Sequence, residues 1–171
     1  MKNRSFKLSQ TGSLFNYLMS HNESVPKVGE GATILMWSDR HAYEVIEVDE
    51  KKKKVIIQRY APARLDKLGM TDSQQYEYKE LTDEVIELYY KWNSWKNPVK
   101  RVIFTDEAYK KYGYEDFGKK LHNAYKEAGG EYNDNGAFIS SIIPDITKEI
   151  IEWHTVNIIF GVKREYYDYS F

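Results

Sequence analysis

Cysteine is absent from the chain, which excludes disulfides, thiolate zinc sites, cysteine-ligated iron–sulfur clusters and cysteine nucleophiles. A net positive charge is also absent, because 25 Lys and Arg face 26 Asp and Glu. Sequence-independent nucleic-acid binders depend on a positive field, so we expect no non-specific binding of nucleic acid. No apolar run reaches the length of a membrane span or of a secretory signal core. These absences predict a cytoplasmic protein with no membrane partner.

The composition that remains is that of one globular domain with a tyrosine excess. A chain of 171 residues that is 42% hydrophobic can bury one core, so we expect a single domain over residues 1–171. Its 15 tyrosines exceed the 7 phenylalanines and 4 tryptophans together. Tyrosine combines an apolar ring with a polar tip, and an excess of it therefore suits ligand-facing or interface surfaces as well as a core.

Apolar periodicity in the first half, residues 1–91, predicts a meander of strands with an N-terminal helix. Apolar residues on one face predict the helix over 14–20. Alternating or β-branched runs predict strands at 5–10, 32–37, 42–48, 55–60, 75–78 and 85–91. The lysine-rich run at 49–54 predicts a hairpin turn between two of them. The stretch 61–74 is interpreted as a long loop, a place where function is often found.

The second half, residues 92–171, is expected to begin where 92–98 breaks the sheet. Strands are predicted at 99–105, 137–143 and 156–162, with a short turn or helix from Pro144 to Ile150. A long helix is predicted over 106–128, with Gly113 and Gly118 as points where it can divide. We therefore predict an α+β fold: a mostly antiparallel curved sheet or partly closed barrel, with two helical segments packed on it.

The densest polar cluster is Trp37-Ser38-Asp39-Arg40-His41, between two predicted strands. Arginine offers a planar fork for phosphate, histidine a switchable donor, serine a hydroxyl and tryptophan a stacking surface. These are the parts of a nucleotide site. The alternative is structural, with the acid and arginine capping a turn and the indole anchoring the core. A Ser-His-Asp hydrolase is disfavoured because contiguous residues rarely reach the triad geometry.

Two further segments are candidate ligand-binding sites. The first combines guanidinium groups with neutral donors, in Arg59, Arg64, Thr71, Ser73 and Gln74. The second is the C-terminal tail, where cations alternate with aromatic rings in Lys163, Arg164, Tyr166 and Tyr167. Such a tail can stack bases, or it can form an edge strand. The histidines are scattered and lack metal-ligand spacing, so neither a metal nor another cofactor is predicted.

Three blocks of the sequence carry a family resemblance: GEGATILMWSDRHAYEVIEV, GMTDSQQYEY and FGVKREYYDYSF. Together they resemble a family of small bacteriophage and prophage proteins that share the patterns GxGAT, WSDRH, GMTDSQ and EYYDYSF. The resemblance implies a phage accessory protein. Small proteins of this kind often act against host defence, and some sequester nucleotide signals stoichiometrically.

The leading functional hypothesis is therefore a binding protein that sequesters a small anionic nucleotide immune signal without catalysis. A protein-surface inhibitor of a host defence enzyme or CRISPR effector is the first alternative, although the balanced charge argues against a DNA mimic. A signal-degrading phosphodiesterase is the second, and the missing histidine–acid cluster weighs against it. Exposed strand edges also allow a homo-oligomer.

Overall fold

The structure, a computed structural model, describes residues 14–21, 23–68, 73–113, 115–139 and 142–168. The described residues form these helices and strands: α1 (Leu14–Met19), β1 (Gly31–Leu35), β2 (Arg40–Asp49), β3 (Lys54–Arg64), β4 (Tyr76–Lys91), β5 (Ser94–Phe104), α2 (Asp106–Tyr112), α3 (Glu115–Glu127), β6 (Thr147–Val156) and β7 (Ile158–Phe160). The strands lie in one sheet in the order β6-β5-β4-β3-β2-β1-β7. The predicted antiparallel sheet with helices is confirmed, and the sheet stays open rather than closing as a barrel. The predicted strand at 5–10 lies outside the described residues.

The chain divides into two compact units, each with its own core. The first comprises the described residues of Met1–Pro98 and His154–Phe171, and the second is Val99–Trp153. The second unit is thus inserted in the chain between two parts of the first. The expectation of a single domain stays a prediction.

The β2–β3 hairpin confirms the interpretation of the lysine run as a turn. Asp49 pairs with Lys54 across its end, and Lys53 adopts a φ of 53°. The Asp49 carboxylate accepts a 3.0 Å hydrogen bond from the Lys52 amide. The exposed lysines 51–53 form the solvated tip, whereas Lys54 begins β3 and pairs with Glu47 and Glu87.

Strand β4 differs most from the sequence prediction. The segments 75–78 and 85–91 were predicted as separate strands, but they form one continuous strand, and β3 runs on to Arg64 through the start of the predicted loop. The β3–β4 ladder extends from Lys54–Tyr89 to Arg64–Tyr76. Cross-strand hydrogen bonds hold the charged middle of β4 extended, although that segment lacks apolar alternation.

The β4–β5 connection is also tighter than predicted. Trp92 and Asn93 adopt φ values of 50° and 58°, the backbone pattern of a two-residue type I′ hairpin. Ser94 then pairs back with Lys91. The predicted break of the sheet at 92–98 is therefore wrong, because β5 begins directly after the two-residue turn.

The first unit buries a core that is shared by all its strands. The members are Ala32, Tyr43, Val45, Val55, Ile57, Leu88, Trp95, Ile158 and Phe160. Trp95 on β5 and Phe160 on β7 stack edge to face with ring centroids 5.4 Å apart. Since these strands are far apart in the sheet order, the sheet curls around one core.

The second unit packs α2 and α3 around Phe104. Gly113 ends α2 with a φ of 74°, so the predicted helix over 106–128 is two helices. Thr105 begins α2 by accepting a hydrogen bond from the Ala108 amide. Among the described residues of the predicted strand at 137–143, only Phe138 forms a β-bridge. Of the predicted turn or helix from Pro144 to Ile150, residues 144–146 form a turn and 147–150 belong to β6.

Candidate functional site

The turn after β1, at residues 36–39, is hydrogen-bonded to a side chain of α1. The Asn16 amide donates to the backbone carbonyls of Met36, Ser38 and Asp39 at 3.2–3.4 Å. A hydrogen bond from the Met36 amide to the Asp39 carbonyl closes the turn at 3.0 Å. The turn projects Trp37 outward, and its side chain is 58% exposed. A rigid turn thus presents an indole ring to solvent, in contrast to the core anchor of the structural alternative.

Arg40 faces the interior rather than the solvent. It is buried, its guanidinium donates to the side-chain Oδ1 of Asn16 at 2.9 Å, and the group lies 4.2 Å from the ring centre of Tyr166. Backbone hydrogen bonds of 3.0 and 3.1 Å join Arg40 and Tyr166 in both directions. The side chain therefore fastens the tail and α1 to the start of β2.

Arg59 forms a buried ion pair with Glu165. Its two terminal nitrogens donate to the two carboxylate oxygens at 2.5 and 2.7 Å. The same carboxylate accepts a hydrogen bond from the Ala42 amide at 2.8 Å, and Arg59 donates to the Ala42 carbonyl at 2.9 Å. Sequence reasoning missed Glu165, because a lone acid in an aromatic tail gives no signal for a partner 106 residues away.

The tail also fixes Gln74 beside this pair. Gln74 donates to the Tyr167 carbonyl at 2.9 Å and accepts from the Tyr167 amide at 3.2 Å. The Tyr167 hydroxyl accepts from Arg59 at 3.2 Å, and the Asp168 amide donates to the Asp39 carboxylate at 2.7 Å. The three sequence candidates thus meet in space, although most of their polar groups bind one another.

The remaining predicted residues make other contacts, are exposed, or lie outside the described residues. Arg64 pairs with Asp66 at 3.0 Å. Lys163 sits 4.5 Å from the centre of the Tyr60 ring, and Arg164 and Ser73 are exposed. Thr71 lies outside the described residues. Ligand binding by the predicted set stays a prediction. The two buried arginines already have partners within the protein.

A groove of about 550 Å³ opens beside the projecting indole, in the first unit. We call it the Trp37 groove, and its lining residues are Ile34, Leu35, Met36, Trp37, His41, Tyr43, Glu84, Thr155, Val156 and Asn157. Its walls combine aliphatic side chains with an imidazole, a phenol, a carboxylate, a hydroxyl and an amide. A mostly apolar concavity with a few polar groups is the usual form of a small-molecule site.

His41 lines this groove and carries an unpaired ring nitrogen. Its Nε2 is buried and has no hydrogen-bond partner among the described residues. Burial lowers the pKa of His41, and the positive charge of Arg59 lowers it further, so the ring is neutral at pH 7. A buried polar atom without a partner costs free energy, and such atoms are uncommon in folded proteins. A bound ligand is one means of satisfying it.

Glu84 is the second functional candidate that sequence reasoning missed. It sits on a bulge of β4, since Gln58 pairs with Val85 whereas Tyr60 pairs with Leu81. Bulges re-aim side chains, and here the carboxylate accepts a 2.8 Å hydrogen bond from the Tyr43 hydroxyl. Burial and this hydrogen bond raise the pKa of Tyr43, which keeps its phenol protonated. The Asp-Glu pair at 83–84 gives only a surface signal in the sequence.

The second unit holds a smaller concavity of about 390 Å³ near Lys100 and Arg101. Both cations are paired, Lys100 with Glu149 at 3.1 Å and Arg101 with Glu152 at 2.9 Å. Among the described residues, no group of three His, Asp or Glu is placed to hold a metal ion. No helix in the described part of the chain is long and apolar enough to cross a membrane.

Comparisons with protein-family models, with curated proteins and with solved structures found no match to this chain.

Proposed function

We propose that the protein binds a small nucleotide-type molecule in the Trp37 groove and sequesters it without chemical change. The observation that carries the proposal is the buried, unpartnered Nε2 of His41 in a groove that also contains an exposed indole. The indole supplies a stacking surface, and the imidazole nitrogen supplies one hydrogen bond of fixed position. A nucleobase has a flat face for the first contact and a polar edge for the second.

The size and rigidity of the groove support this proposal. A volume of about 550 Å³ is within the range of roughly 300–1,000 Å³ typical of small-molecule pockets. Asn16 fixes the turn that carries Trp37, and the Glu84 hydrogen bond fixes the Tyr43 ring. A preorganised site loses little conformational entropy on binding, as a stoichiometric binder requires. The resemblance to phage proteins suggests a host immune signal as the captured molecule.

Calorimetric titration tests the proposal with a panel of mononucleotides, cyclic nucleotides and ADP-ribose derivatives. Heating the complex and analysing the released ligand by mass spectrometry separates the three functional hypotheses. Intact ligand supports sequestration, altered ligand supports an enzyme, and the absence of any capture supports a protein-surface inhibitor.

Trp37→Ala is the informative variant for this titration. Loss of a stacking contact costs about 1–3 kcal/mol per base, so we expect roughly a fivefold to hundredfold loss of affinity. Ile151→Ala is the control, because that apolar side chain is 54% exposed, belongs to the second unit and is not part of the groove lining. Equal losses in both variants, or a fall in the melting temperature of Trp37→Ala alone, would contradict a ligand role.

A further inference from the structure

We infer that the Trp37 groove is specific for a guanine nucleotide with one phosphate group, with the base edge at Glu84 and the phosphate at Lys96. The inference rests on the proposed function and adds the identity and the orientation of the ligand. Its two parts depend on separate residues at the groove, a carboxylate and an ammonium group, and each part has its own test.

The carboxylate of Glu84 sets the base preference. One oxygen accepts from Tyr43, and the other has no partner among the described residues. Guanine presents two adjacent N–H donors, N1–H and the N2 amino group, which match the acceptors of a carboxylate. Adenine presents an acceptor, N1, beside its amino group, and this nitrogen would face the negative charge. A site that is built to accept hydrogen bonds therefore discriminates against adenine.

The imidazole of His41 fits the same base. His41 and Glu84 both line the groove, so the two groups belong to one local environment. A neutral imidazole with its proton on the unpartnered Nε2 donates one hydrogen bond. Guanine carries its O6 acceptor next to N1–H. The acceptor carboxylate and the donor imidazole together reproduce the pattern that is complementary to this edge.

Lys96 supplies the positive charge at the rim. Its ammonium donates a hydrogen bond to the hydroxyl of Thr155, which lines the groove. The only charged group in the groove lining itself is Glu84, since His41 is neutral. The buried guanidinium groups of Arg40 and Arg59 are bound to Asn16 and Glu165. Lys96 can thus meet a phosphate without breaking a buried contact.

The test is a titration of guanosine 5′-monophosphate, adenosine 5′-monophosphate and guanosine against the parent, Glu84→Gln and Lys96→Gln. In the parent, we expect the guanine nucleotide to bind about tenfold more tightly than either other compound. Glu84→Gln keeps an acceptor for Tyr43, so the fold is retained while the preference for guanine over adenine falls to near unity. Lys96→Gln abolishes the advantage of the nucleotide over guanosine and leaves the base preference intact.

Matched controls are Glu80→Gln, an exposed acid on the same strand as Glu84, and Lys91→Gln, a cation at the other side of the β4–β5 hairpin. Both are expected to bind as the parent does. Three results overturn this inference and leave the proposed function standing: nucleotide binding without a guanine preference in the parent, a guanine preference that survives Glu84→Gln, or an advantage of the nucleotide over guanosine that survives Lys96→Gln. If the parent binds none of the three compounds and no member of the wider panel, the proposed function fails as well.

Discussion

Replacing Glu165 with glutamine is the sharpest test of how the first unit is held together. Three donors converge on this carboxylate: two nitrogens of Arg59 and the amide of Ala42. Glutamine has nearly the same shape, but its NH₂ group places a donor against a donor. The guanidinium then stays buried without a counter-charge. Breaking a buried pair in this way costs about 3–5 kcal/mol of unfolding free energy.

Urea denaturation followed by circular dichroism measures this loss. In a chain of this size, 1 kcal/mol corresponds to a melting shift of about 2–4 °C, so the melting temperature is expected to fall by roughly 6–20 °C. Amide hydrogen exchange gives a local readout, since the Ala42 N–H loses its acceptor and should exchange faster than amides of the second unit. This comparison separates loss of the pair from a general loss of stability.

The double variant Arg59→Met with Glu165→Leu removes both charges. It is expected to be more stable than Glu165→Gln alone, because no isolated charge remains buried. It is also expected to be less stable than the parent, because the backbone N–H and carbonyl of Ala42 both lose partners. A Glu165→Gln protein within about 1 kcal/mol of the parent, or a double variant less stable than the single one, would refute the reasoning.

Three further predictions concern other local contacts. Asn16→Ala removes the donor to the turn and the acceptor for Arg40, so we expect a loss of about 1–3 kcal/mol in urea denaturation; an unchanged midpoint would contradict this. Trp92→Asn should stabilise the hairpin by about 0.5–1 kcal/mol, since asparagine tolerates a positive φ better than tryptophan; a lower melting temperature would count against the type I′ assignment. Hydrogen bonds from Arg64 and from the Gln75 amide hold the pKa of Asp66 well below its usual value, so the stability that this carboxylate contributes is present above about pH 4 and falls as the pH drops toward its folded pKa. Hydrogen exchange of the Gln75 amide should therefore show weaker protection at low pH, after correction for intrinsic rates, and Asp66→Asn should remove that dependence.

Local signals in the sequence predicted the elements that local chemistry determines. The β2–β3 hairpin follows from two β-branched runs and a charged turn. The helix α1 lies where it was predicted, but Leu14 and Leu18 of its apolar face are exposed and Asn16 is buried. The continuity of β4 did not follow, because its middle at 79–84 is charged and is held by pairing with β3. Intrinsic preference is weak in strands, and long-range pairing overrides it.

The candidate site was predictable only in part. The sequence located Trp37 and His41, since a dense polar cluster between strands is a local feature. It did not locate Glu84, which is aimed by a β-bulge that no residue pattern announces. Arg59 is buried because it pairs with Glu165, and the two residues are 106 positions apart. A pairing at that separation produces no repeating pattern in the sequence from which it could be predicted. Sequence reasoning identified the charged groups but not which of them neutralise one another.

The insertion of the second unit has a consequence for the order of folding. β1 to β4 and the start of β5 precede Val99–Trp153 in the chain, whereas β7 and the residue that neutralises Arg59 follow it. Closing the first unit therefore means bringing together segments with more than fifty intervening residues, and contacts of such high sequence separation slow folding. If the inserted unit collapses first, its own ends draw together and the remaining loop to be closed becomes short. During synthesis, Arg59 is made before the inserted unit and Glu165 after it, so the ion pair cannot form until the inserted unit has been synthesised. The time needed to make the second unit therefore sets the earliest point at which the first unit can finish folding.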